Sequence, residues 1–167
     1  MILHRFLSDS RAAAATEFAL LLPMLIVLLF GGTEAGHFVW SQHKLAEAVR
    51  DGARYAARLP ISKVCDGAND VLADPQLADV KLITRTGQLD DPAARPVVPG
   101  WTDAQVAVTV SCESFVDTGI YTDLGAEGPV VTVSAAGVTY PSMFNLLGGL
   151  SRSISLTAHS NAAVIGI

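Results

Sequence analysis

The chain has 167 residues and a formal net charge of −5; half of its residues are hydrophobic and only 16% are charged. That length suits one modest domain plus an anchoring segment. Beyond Arg58 stand five basic residues against eleven acidic ones, a balance that argues against nucleic acid, which calls for basic patches.

Residues 1–11, MILHRFLSDSR, set Arg5 and Arg11 against Asp9. A basic flank ahead of an apolar run stays on the cytoplasmic side by the positive-inside rule. The run itself, Phe18 to Gly32, is almost purely apolar, with one acid, Glu17, at its entrance.

Three readings fit such a run. A cleaved secretory signal needs a small-residue site, for which Thr33-Glu34-Ala35 is a poor candidate. A plain transmembrane anchor needs ~20 apolar residues, more than the run alone supplies. The third is a prepilin-type leader, cut on the cytoplasmic side so that the hydrophobic helix stays in the mature chain. Glu17 favours the third, because an ionised carboxylate costs several kcal/mol in lipid and gives the other two nothing.

Pro23 lies inside the apolar helix, removes the bond to the Ala19 carbonyl and is expected to bend or loosen it. Gly32-x-x-x-Gly36 offers a small-residue face for close helix packing, on a partner helix or on the chain's own domain. Glu34 and His37, three apart, mark emergence from the bilayer.

From Ser41 the helix turns amphipathic. Leu45, Val49, Gly52, Ala53 and Ala56 form one stripe, and the charges lie mostly elsewhere. So many small residues imply a close neighbour, and a sheet face is the expected one. Pro60 ends the helix.

The residues Ala14-Ala15-Thr16-Glu17-Phe18-Ala19-Leu20, then Leu22-Pro23, Glu34 and Ala48 through Ala57 resemble the TadE-like family, the minor pseudopilins of the bacterial tight-adherence (Tad) pilus. The resemblance covers about the first 58 residues. It implies cleavage between Ala12 and Ala13 by a prepilin peptidase, leaving Glu17 as the fifth residue of the mature chain. The family usually has Gly before the cut; this chain has Ala12. It also implies assembly roles for Glu17, Phe18 and Pro23. A cut there would free a cationic amine on Ala13, and pairing it with Glu17 of a neighbouring subunit would offset the desolvation of both charges.

Cys65 follows the helix, Asp66-Gly67 reads as a turn, and Asn69–Ala78 as a short helical or irregular piece. Val80–Arg85, VKLITR, is the first expected strand. Thr86–Gly100, with three prolines and two glycines, is a loop. Gln105–Glu113 alternates and is the best strand, with Cys112 in phase with Val106, Val108 and Val110. Cys65 and Cys112, both in the exported part, are expected to pair, stapling the helix exit to the sheet; two buried free thiols are the alternative. Ser114–Gly128 carries Asp117, Asp123 and Glu127 without the regular spacing of a calcium loop. Val130–Tyr140 is a strand broken at Gly137, Pro141–Leu150 an apolar turn, and Ser153–Ile165 the last strand. His159 stands alone there as a surface residue.

The expected fold is a pilin-like α+β one, a long helix packed on an antiparallel sheet of about four strands. The expected organisation is a leader at 1–12, a membrane or filament-core helix at 13–36, its amphipathic continuation at 37–58, and an exported domain at 59–167. The function the resemblance implies is that of a minor pseudopilin in Tad pilus initiation, assembly or tip formation, for adhesion and biofilm growth. Its partners would be the other pilins and pseudopilins, the prepilin peptidase and inner-membrane lipid. The alternative is a membrane-anchored exported binding domain that enters no filament. No nucleophile motif, metal-ligand cluster or phosphate loop points to an enzyme, a cofactor or a small-molecule substrate.

Overall fold

The structure is a computed structural model and describes residues 10–65, 72–112, 128–144 and 154–166. The Asp66-Gly67 turn, the acids Asp117, Asp123 and Glu127, and residues 1–9 of the leader lie outside the described residues.

One helix, α1, runs Ser10–Ala56, 47 residues with Pro23 inside it. A short helix α2 (Ile61–Val64), a helix α3 (Gln76–Thr86) and a 3-10 turn (Asp103–Gln105) follow. Three strands then complete the fold: β1 (Val106–Ser111), β2 (Val130–Thr139) and β3 (Ser155–Ala163). By its contacts the chain divides into two units, residues 1–38 and residues 39–167.

In the second unit the amphipathic half of α1 packs on an antiparallel sheet of order β1-β2-β3. The expected stripe is the buried one: Leu45, Val49, Ala53 and Ala56 are all at most 1% exposed. They meet a valine-rich sheet face, in which Val110 pairs Val131 and Val106 pairs Ala135. Gln42 on the same helix donates from Nε2 to the Thr157 carbonyl of β3 at 2.7 Å.

Gly137 does what a strand glycine at positive φ does. Its φ is 69°, and the β2–β3 register slips between Ala135 and Val138. One extra residue on β2 restores the inward phase, so Val131, Val133 and Ala135 are buried before it and Val138 and Tyr140 after it. Gln105 holds the bulge by donating from Nε2 to the Gly137 carbonyl at 2.6 Å.

One expectation needs correction. VKLITR is not a strand but the body of α3, so the sheet has three strands rather than about four. The run has the β-branched content of a strand, yet Val80 and Thr84 lie one helical turn apart and are both buried. Thr84 Oγ1 donates to the Val80 carbonyl at 2.6 Å and Thr86 Oγ1 to the Leu82 carbonyl at 2.8 Å. Hydroxyls that bond back to the preceding turn let threonine sit inside a helix without an unsatisfied polar group. Gly87, left-handed at φ 76°, caps the end with its N–H on the Ile83 carbonyl.

The stripe has a second close neighbour besides the sheet. At Gly52 it is Thr84 of α3, and a Cβ on Gly52 would collide with the threonine side chain. The sequence gives Gly52 and Thr84 their places on two helices only once VKLITR is read as helical.

The loop 87–102 has neither helix nor strand, as its prolines require. It folds back on α3 through Val97 N–H to the Arg85 carbonyl, 2.9 Å, and buries Val98 and Trp101. The Asp103 carboxylate accepts from Arg85 Nε at 2.7 Å, fixing the loop's far end.

Candidate functional site

Two features stand out: an apolar helix on which no described residue packs, and, within the second unit, a stapled segment at the C-terminal end of α1.

The first unit consists of the helix alone as far as it is described. Residues from Ala14 to Thr33 are all exposed. Leu20 is 80% and Val27 71% exposed, and Phe18, Leu22, Met24 and Phe30 are open too. So large a continuous apolar surface is far beyond what an isolated soluble chain leaves uncovered. The helix is long and apolar enough to cross a membrane, and none of its apolar window is buried in the chain. Ala12 and Ala13 lie on the helical backbone, with their side chains outside the described residues. Glu17 is exposed one turn further on. Helical geometry runs through Pro23 without interruption. Gly32 and Gly36 have open space where a Cβ would stand, so no described residue of the chain itself uses that face.

The second feature begins at residue 57, where α1 ends. Ile165 donates its N–H to the Ala57 carbonyl at 2.9 Å, and Ile61 donates to the Gly166 carbonyl at 3.2 Å. Pro60 and Gly166 form a parallel bridge, so the end of the described chain returns to the helix exit. Gly166 has no room for a side chain there, because a Cβ would strike the Leu59 carbonyl. Cys65 and Cys112 are bonded, with Cα atoms 5.9 Å apart, and both are buried. This staple joins the segment after the helix to the end of β1, in the phase that the valines of β1 set.

Charges on the amphipathic half of α1 form a solvated face. Arg54 Nη1 pairs with Asp51 at 3.2 Å, both side chains well exposed, an arrangement worth a fraction of a kcal/mol. Tyr55 has a displaced titration. Partial burial holds its phenol above the ordinary tyrosine range, and the Asp79 carboxylate of α3 adds to the effect. His159 is exposed on β3, opposite Ser134. Among the described residues no three His, Cys, Asp or Glu side chains gather as metal ligands.

Sequence reasoning passed over a pair at the start of the second unit. Lys44 Nζ lies 4.3 Å from the centroid of the Trp40 ring. The spacing of four on a helix was the available signal.

Against known protein families, residues 12–54 match the model described as TadE-like protein. The matched stretch runs from Ala12, through Glu17 and the apolar run, to the amphipathic half of α1. No curated protein and no solved structure matches the chain.

Proposed function

We propose that this chain is a minor pseudopilin of a Tad-type pilus. The observation that carries the proposal is the family match over residues 12–54, which falls on a helix whose apolar surface no described residue covers. A prepilin peptidase cuts between Ala12 and Ala13, and the helix holds the processed chain in the inner membrane. The N-terminal leader faces the cytoplasm and the disulfide-bonded domain lies outside it, where cysteines oxidise. On assembly the helix leaves lipid for a bundle of pilin helices, with Glu17 meeting the Ala13 amine of a neighbour. The chain acts by assembly, in initiation or at the tip of an adhesive pilus, and not by catalysis. About 110 residues follow the helix, a larger exported part than a major pilin of this system carries, so the role is a minor one.

The test is the mature N-terminus. The full chain is expressed with and without prepilin peptidase, and the terminal residue is read by mass spectrometry. A terminus at Ala13 that depends on the peptidase is expected. An unprocessed chain, or a terminus beyond Ala35, overturns the proposal and leaves a membrane-anchored domain outside any filament.

A further inference from the structure

The helix surface just outside the apolar run carries an aromatic and a cation arranged for a particular medium. Trp40 is 53% exposed and its neighbour Val39 is equally open. On the packed side of the same turn Ser41 is 2% exposed and Leu45 fully buried. Trp40 therefore points away from the sheet, and Lys44 lays its ammonium over the ring from the next turn.

We propose that Trp40 and Lys44 form an anchor in the outer headgroup layer of the bilayer, with phospholipid as the partner. This rests on the reading that α1 spans the membrane. The position along the helix supports it. A hydrocarbon layer of ~30 Å takes about 20 helical residues. Counted from Phe18, just past the Glu17 carboxylate, these end at His37. Trp40 lies three residues further, about 4.5 Å at the helical rise, within the headgroup layer. Lys44 is one turn further out. An indole has an apolar body and a polar N–H and settles where hydrocarbon gives way to water. A lysine one turn above it keeps its charge in water or on lipid phosphate while its stem and charge cover the ring. A single exposed tryptophan is ordinary on a soluble surface; one half exposed beside an open Val39, with a lysine over its ring, at this distance along the helix from the apolar run, is not. The anchor would fix how far the second unit emerges before assembly withdraws the helix.

The experiment uses the chain's two tryptophans. Trp101 is 2% exposed and serves as the internal reference. The full chain is reconstituted into vesicles of phosphatidylethanolamine and phosphatidylglycerol, plain or brominated at shallow or deep acyl positions, and retention is read by flotation. Roughly half of the emission, the Trp40 share, is expected to be blue-shifted and quenched more by shallow than by deep bromines, as an interfacial indole is. W40F should abolish that quenchable share and leave the Trp101 emission in place. K44Q should shift quenching toward the deeper bromines. A chain that floats, but whose Trp40 emission stays at the aqueous wavelength and is quenched by iodide, overturns the anchor and leaves the spanning helix standing. A blue shift without bromine quenching that disappears on dilution in lipid assigns Trp40 to a second copy and also overturns it. A chain that does not float fails the spanning reading, and the anchor with it.

Discussion

Gly52 of α1 and Thr84 of α3 touch so closely that no side chain fits on the glycine. Two effects compete at this position. Glycine inside a helix costs about 0.5–1 kcal/mol relative to alanine, so Gly52→Ala would ordinarily stabilise. Overpacking costs about 1–3 kcal/mol, and Thr84 cannot easily yield, being fully buried with its hydroxyl on the Val80 carbonyl. Gly52→Ala is therefore expected to destabilise the second unit by about 1–2 kcal/mol net. Adding Thr84→Ala should recover part of the loss. Urea unfolding of the detergent-solubilised chain measures both, and a stabilised single variant would contradict the packing described.

This contact also shows where the sequence was legible and where it was not. The buried stripe from Leu45 to Ala56 could be read because its period is helical and uninterrupted. The alternation in β1 was visible because strand phase has period two; Gly137 reads as a break in the sequence, whereas β2 runs on through it as a bulge. Val80–Arg85 was misread because six residues, four of them β-branched or apolar, are too few to separate the two periods. As a helix it satisfies the Thr84 and Thr86 hydroxyls by bonds back along the chain and ends on Gly87 as a cap, none of which a six-residue pattern shows. Partner choice was legible for Cys65 and Cys112 because only two cysteines are present. The return of Gly166 to the helix exit had no signal, since it depends on a glycine beside Leu59 and not on any local pattern.

The Cys65–Cys112 bond closes a separation of 47 residues. In the chain-entropy model a loop of that size is worth about 4 kcal/mol. Both half-cystines are buried, so a serine pair would also place two hydroxyls in the core. Cys65→Ala with Cys112→Ala is the cleaner variant, expected to lose ~4 kcal/mol of unfolding free energy. Wild type in strong reductant should lose a similar amount. Equal unfolding midpoints with and without reductant would contradict a stabilising role for the staple.

Tyr55 supplies a pH dependence. Burial raises its pKa above the ordinary 10.0, and Asp79 raises it further. The folded chain thus holds the phenol proton where the unfolded chain has begun to release it. By linkage, the stability is full below pH 10, where both states are protonated, and declines as pH climbs through the raised folded value. Tyr55→Phe should flatten this alkaline decline, and Asp79→Asn should bring the titration of Tyr55 back toward the ordinary range. Ultraviolet titration of phenolate, followed beside unfolding at each pH, checks both. A Tyr55 that titrates at or below the ordinary value would contradict the burial and the charge.

Glu17 tests the assembly role most directly. It is an exposed carboxylate at the entrance of an apolar helix, and such a group is costly wherever that helix enters an apolar medium. Under the proposed function, Glu17 would lie near the membrane surface and meet water before assembly; in a filament of parallel helices it would need the cation that processing would create on a neighbour's Ala13. Glu17→Ala therefore leaves insertion unchanged but strands that amine. Breaking a buried pair costs about 3–5 kcal/mol, enough to lower incorporation into sheared pili by two orders of magnitude or more. Glu17→Gln keeps a hydrogen-bond acceptor without the charge and should fall between the two. Membrane fractionation reads the first effect and immunoblots of the sheared fraction the second. A Glu17→Ala chain that stays in the membrane and enters pili at the wild-type level would remove the carboxylate from the mechanism.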